Sequence, residues 1–236
     1  MSRSALRSIL LITLLLLGAS TAIADWSVVE NPVTGKAEAV WSNPEGETSA
    51  DVLYSQLDDD AWAPSTTLSD SGKAESKPVL LFDDSGGRSA IWDTLTATIL
   101  MRTQPPEGGS WSDELILSET GEVASRPAAF LLSGDTYVIY ETSPPTGSRL
   151  VKVTKIDSEG NVERSLLAAT TYSSPLNTEI HSDGILLWVD WIDSSSALGY
   201  SVLIDGVWES PSYEPYGGPT DVLYGRGRIR SILTGG

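Results

Sequence analysis

The 236-residue chain carries 32 Asp and Glu against 15 Lys and Arg, a formal net charge of −17, with no Cys and a single His. A surface this acidic repels phosphate backbones and anionic lipid headgroups, so nucleic acid is not an expected partner. The lack of Cys excludes disulfides, thiolate metal sites and a Cys nucleophile.

In chain order, the first element reads as a targeting segment. Arg3 and Arg7 form a basic start, Ile9 to Leu17 is an apolar run, and Ala22-Ile23-Ala24 is a small-x-small cleavage site before Asp25. This is the pattern of a secretory signal peptide over residues 1–24, and its apolar run is short for a membrane span. An uncleaved anchor is the alternative. Cleavage leaves residues 25–236 as one domain in the periplasm or outside the cell, with no stable membrane insertion expected.

The next elements repeat. Trp62, Leu68-Ser69, Gly72 and Ser76-Lys77-Pro78 recur as Trp111, Leu117-Ser118, Gly121 and Ser125-Arg126-Pro127, each pair 49 residues apart. Weaker echoes follow in Ser174-Pro175 and Pro219, and in the series Trp41, Trp92, Tyr140. A period of about 40–50 residues is that of a propeller blade.

Each period reads as four strands separated by turn chemistry. The first has Trp26 to Glu30, Lys36 to Trp41, Asp51 to Gln56 and Trp62 to Leu68. The second has Val79 to Phe82, Arg88 to Trp92, Leu95 to Arg102 and Trp111 to Leu117. Arg149 to Ile156 and Gly199 to Ile204 are the third strands of the next two. No stretch carries a long helical stripe. A four-stranded sheet with two apolar faces must stack on others to bury both, which predicts an all-β propeller of antiparallel blades. Four full blades are expected, followed by a C-terminal hairpin from about Thr220 to Leu233. That hairpin is expected to close the ring as a partial fifth blade. A homodimer through the incomplete blade is the alternative. Most of the repeated aromatics are expected to pack between blades.

The order Ser-x-Pro, apolar strand, Asp/Gly hairpin, aromatic, Gly-x-Trp-Ser and Leu-Ser resembles bacterial sialidase-like propellers with BNR or Asp-box-type repeats. The box is partly kept in Ile204-Asp205-Gly206-Val207-Trp208 and Asp157-Ser158-Glu159-Gly160, and Asp58 and Trp62 lack the intervening Gly. In that family the boxes are structural turns. The resemblance implies a three-arginine carboxylate clamp with a Tyr/Glu pair and an Asp acid. Here the N-terminal Phe/Tyr-Arg-Ile-Pro motif is absent, and Arg88, Arg149 and Arg164 fall on predicted hairpins or outer strands.

Other chemistry is weighed on its residues. His181, beside Ser182-Asp183-Gly184, reads as a surface turn histidine and not as a catalytic base. Asp58-Asp59-Asp60 lacks the spacing of a Ca²⁺ loop and reads as a solvated turn. Gly225-Arg226-Gly227-Arg228 reads as a hairpin turn and not as a phosphate loop. No metal, no cofactor and no catalytic set is expected. One constellation remains. Lys77 and Arg126 are expected near the central axis, ringed by the strand ends Trp92-Asp93 and Tyr140-Glu141, where two cations and aromatic–polar pairs would grip an acidic glycan or a peptide. Two readings stand: a non-catalytic binding module, with a glycan or protein ligand, and a glycan-cleaving hydrolase.

Overall fold

The structure, a computed structural model, describes residues 25–43, 50–69, 74–144, 148–170, 177–182, 186–194 and 197–215. Both the signal segment and the expected fifth-blade hairpin from Thr220 lie outside the described residues. Among the described residues there is no helix, and every strand pairing is antiparallel.

The strands form four sheets in chain order. Blade 1 holds β1 (Trp26–Glu30), β2 (Ala37–Asn43) and β3 (Asp51–Asp58), with its outer position shared by β4 (Ala61–Trp62) and β5 (Thr66–Thr67). Blade 2 runs β6 (Glu75–Phe82), β7 (Arg88–Thr94), β8 (Ile99–Gln104) and β9 (Leu115–Ile116). Blade 3 is β10 (Ala124–Leu132), β11 (Asp135–Thr142), β12 (Leu150–Ile156) and β13 (Val162–Ala169). Blade 4 is β14 (Glu179–Ser182), β15 (Leu187–Ser194) and β16 (Ala197–Ile204), with β17 (Val207–Trp208) and β18 (Ser212–Pro215) outermost. The first strands of successive blades contact one another, β1 against β6, β6 against β10 and β10 against β14. The fold is thus the expected all-β propeller.

The repeated motifs have local physical jobs. Leu68 donates its N–H to the Val52 carbonyl at 2.7 Å, and Ser69 Oγ accepts the Val52 N–H at 3.1 Å. Leu117 and Ser118 do the same to Ile99, at 2.8 and 3.1 Å. In blades 1 and 2 the Leu-Ser pair thereby ties the outer edge to the third strand and buries the Leu. The Asp-box remnants are hairpin turns. Asp205 and Gly206 both have positive φ, the demand of a tight two-residue hairpin. Asp157 Oδ1 accepts the amides of Glu159 and Asn161, each at 2.9 Å. Asp58, the first of the acidic run, pairs with Lys36 at 2.6 Å, and Asp59 turns the chain at φ 54.

Alternation along the second strands supplies the core. Trp92, with Leu80, Ala90 and Leu100, packs against Val40, Val52 and Leu68 of blade 1. Tyr140 and Val138 pack against Ile91, Ile99, Met101 and Leu117 of blade 2. Trp191, Leu187 and Val189 pack against Tyr137, Ile139, Val151 and Val153 of blade 3. The outer aromatics reach across the same seams: Trp111 meets Tyr54 edge-on at 5.3 Å, and Trp208 meets Tyr137 at 6.3 Å. Stacking apolar faces of neighbouring blades is what turns marginal sheets into one core.

Two expectations shift. The third strand of blade 2 begins at Ile99 and not at Leu95, because Leu95 to Thr98 is a turn with Ala97 at φ 67 and Leu95 faces solvent. His181 is not a turn residue but lies on β14, paired across to Trp188.

Candidate functional site

The site is built where the inner strands begin. In blade 2 the β6–β7 register slips between Ser76 and Val79; in blade 3 the β10–β11 register slips between Ser125 and Ala128. Each slip is a β-bulge that carries a cation followed by Pro. Pro has no N–H to give to the ladder, so a bulge is where a strand tolerates it. Lys77 sits at φ 54 and Arg126 at φ 59, the left-handed region that a non-glycine residue adopts only under constraint. The inter-strand pairing makes Asn177, at φ 50, their counterpart in blade 4 and Asp25 their counterpart in blade 1.

These four equivalent positions meet in pairs. Lys77 Nζ lies 2.8 Å from Asp25 Oδ1, and Arg126 Nη1 donates to Asn177 Oδ1 at 2.8 Å. Lys77, Arg126, Pro127, Asn177, Thr178 and Glu179 line one cavity of about 370 Å³. Its wall mixes cationic donors, an amide, a hydroxyl and one carboxylate.

The other four sequence-predicted residues lie behind this cavity, not on it. Trp92 and Tyr140 are fully buried in the seams described above, so their rings are packing elements and not platforms open to a ligand. Asp93 is buried; its carboxylate accepts the Arg126 N–H at 2.8 Å and the Ser76 hydroxyl at 2.5 Å, tying blade 2 to the bulge of blade 3. Glu141 is fully buried beside Arg149 Nη1 at 3.2 Å, and its second oxygen has no hydrogen-bond partner.

Burial pushes the Asp93 carboxyl above the ordinary carboxylate range, against the Arg126 amide and the Ser76 hydroxyl, which favour ionisation. A carboxyl with a raised pKa binds its proton more readily folded than unfolded, so its contribution is present at low pH and lost as pH rises from the ordinary value through the raised one. Asp93→Asn keeps an oxygen for the Arg126 amide and removes the desolvated charge. It should leave the melting temperature at pH 7 unchanged or raised, and should flatten the decline of stability between acidic and neutral pH. Thermal scans across that range check it; a clear loss of stability at pH 7 would contradict it.

The arginines needed for a sialidase-type clamp are engaged elsewhere. Arg88 forms a bidentate pair with buried Glu38. Arg149 pairs with Glu141, and Arg164 donates to the carbonyls of Leu117 and Ile116. No two of these three share the cavity wall.

A second cluster escaped the sequence reading. Glu179, His181 and Asp190 bring one donor atom each within 4.8 Å of one another on β14 and β15. The Glu-x-His spacing puts two side chains on one face of a strand, but their meeting with Asp190 depends on the cross-strand register, in which Glu179 faces Asp190.

No protein-family model and no curated protein matches the chain. Among solved structures it is similar to the BP39L lectin from Burkholderia pseudomallei, with TM-score 0.62 and 16% identity over 83% of this chain and 56% of that one. It is similar to the NanB sialidase from Streptococcus pneumoniae, with TM-score 0.58 and 9% identity over 80% of this chain and 51% of the sialidase. It is similar also to an α-L-arabinanase of Penicillium chrysogenum, crystallised with arabinobiose, with TM-score 0.55 and 13% identity over 78% of this chain and 63% of the arabinanase. The chain thus spans between half and about two thirds of these proteins. Likeness at this level of identity is likeness of fold, and the fold is the β-propeller.

Proposed function

We propose that this chain is an exported, sialidase-like propeller that binds an acidic glycan in the cavity at its inner-strand starts and does not cleave it. The observation that carries this reading is the pair Lys77 and Arg126. They occupy the same bulge position in adjacent blades, both hold a left-handed backbone, and both line one cavity. On a chain of net charge −17, two cations held at equivalent positions on one wall fit an anionic ligand. The Arg126 contact to Asn177 uses one of five guanidinium donors, which leaves planar pairing with a carboxylate within its chemistry. Asn177, Thr178 and Glu179 supply the mixed donors and acceptors that suit sugar hydroxyls. The fold-level similarity to a lectin and to glycan-acting enzymes supports the ligand class.

A hydrolase is the competing reading, favoured by a buried carboxyl of raised pKa, Asp93, next to the cavity wall. The test is a glycan array with acidic and neutral saccharides, followed by a hydrolysis screen on sialosides and aryl glycosides. The expected outcome is retention of carboxylated glycans over neutral ones, weakening as salt rises, without turnover. Turnover abolished by one carboxylate substitution would overturn the non-catalytic reading.

A further inference from the structure

Blade 4 breaks the rule that its siblings follow. Counting from the left-handed residue of each bulge, blade 2 places Val79, Leu81 and Ile91 on the face turned to the next blade, and blade 3 places Ala128, Phe130 and Ile139 there. Leu81 and Ile91 belong to one inter-blade core; Ala128, Phe130 and Ile139 belong to another. At the same three positions blade 4 has Glu179, His181 and Asp190. Asp190 is buried, at 1% exposed, while the Glu179 and His181 side chains keep 45% and 32% of their surface. A bound cation would offset the desolvation of the buried carboxylate on the side where Glu179 and His181 meet it.

Their donor atoms all lie within 4.8 Å of one another. His181 Nε2 lies 2.9 Å from Asp190 Oδ2 and 3.4 Å from Glu179 Oε2. The nitrogen is buried, and neither contact has hydrogen-bond geometry. Donors bound to one ion at roughly 2.0–2.2 Å stand about 2.9–3.5 Å apart in octahedral or tetrahedral arrangements, with their lone pairs converging on a third point. Trp188, stacked on the imidazole at 5.6 Å with the ring planes 27° apart, fixes the ring. We propose that Glu179, His181 and Asp190 form a binding site for a divalent transition metal of the Zn2+ type. The imidazole selects against Ca²⁺ and Mg²⁺, which take oxygen donors. Three protein donors leave a tetrahedral ion one position for water or a ligand oxygen, and Glu179 also lines the central cavity.

His181 is the chain's single histidine, which makes the test unambiguous. In the tag-free, chelator-treated protein, the imidazole resonances should shift on adding one equivalent of Zn2+ and not on adding Ca²⁺. Calorimetric titration should show one tight site, weakened at least ~100-fold in His181→Gln and in Asp190→Asn, given that even outer-shell changes cost 10–100-fold. At a hundredfold excess over Kd, Zn2+ should raise the melting temperature by about 5–10 °C. If Zn2+ leaves the imidazole resonances unmoved, the cluster is only a set of polar side-chain contacts, and the proposal fails. A shift with Ca²⁺ alone would overturn the transition-metal assignment. Because the resonance test uses the unaltered protein, it decides even if a variant does not fold.

Discussion

Glu38→Gln should destabilise the protein by about 3–5 kcal/mol, the cost of leaving one partner of a buried ion pair uncompensated. Glu38 is fully buried on β2 and takes two charge-assisted bonds from Arg88 of blade 2, at 2.6 and 2.8 Å. It also accepts from Asn31 Nδ2 at 3.0 Å and from the Tyr54 hydroxyl. Burial, reinforced by the Glu38 carboxylate, raises the Tyr54 phenol well above its ordinary pKa, so it remains a donor throughout the accessible pH range. The amide of Gln keeps the shape but leaves the guanidinium buried without an anion. At roughly 2–4 °C per kcal/mol for a chain of this size, the melting temperature should fall by about 6–20 °C. Replacing both partners, Glu38→Leu with Arg88→Met, should recover part of the loss, because no orphan charge remains while Asn31 and Tyr54 lose an acceptor. Calorimetry on the single and double variants measures the coupling. A loss under about 1 kcal/mol in Glu38→Gln would mean that the seam between blades 1 and 2 does not depend on this pair.

The second large effect is expected at the seam between blades 3 and 4. Trp191 is fully buried among Tyr137, Ile139 and Val153, and its indole lies over Gly199 of the neighbouring strand. A Cβ on Gly199 would stand 2.4 Å from the indole Cε2 and Nε1. Trp191→Ala should cost about 3–5 kcal/mol through lost burial and the cavity left behind. Gly199→Ala should cost about 1–3 kcal/mol through overpacking. The two should couple strongly: in the Trp191→Ala background the methyl at 199 enters vacated space, and its penalty should vanish or change sign. Denaturant unfolding of the four variants gives the cycle; simple additivity would show that the ring is not seated on that glycine.

The architecture was legible because its signals are local. Leu68-Ser69 and Leu117-Ser118 do the same hydrogen-bonding work 49 residues apart, and a repeated job leaves a repeated string. Gly-x-Trp strings marked hairpins for the same reason. Other features depend on register, which a string does not carry. Trp92 and Asp93 are neighbours in sequence but point to opposite faces of β7, so Trp92 enters the seam with blade 1 while Asp93 reaches the bulge of blade 3. Read as one aromatic–polar pair beside the cations, they could not be separated without knowing which face met which blade. His181 was misjudged by its polar neighbours Ser182-Asp183-Gly184, since a turn signal says little about the strand end before it. Lys77 and Arg126 could be matched to each other by Ser-x-Pro, whereas Asn177, their structural counterpart, stands outside that motif and emerges only from the pairing.

The measurement that bears most directly on the proposed binding role is a comparison of Lys77→Gly and Arg126→Gly with the unaltered protein, scored for both stability and affinity. Glycine is at ease at φ 54 and 59, so the relief of backbone strain should roughly offset the added freedom of the unfolded chain. The lost Lys77–Asp25 contact is largely exposed and worth little. Both variants should therefore melt within about 2 °C of the parent, while affinity for a carboxylated glycan found on the array falls about 10–100-fold, the worth of a charged hydrogen-bonding partner. Unchanged affinity together with unchanged stability would contradict the account and assign the two cations no part in binding.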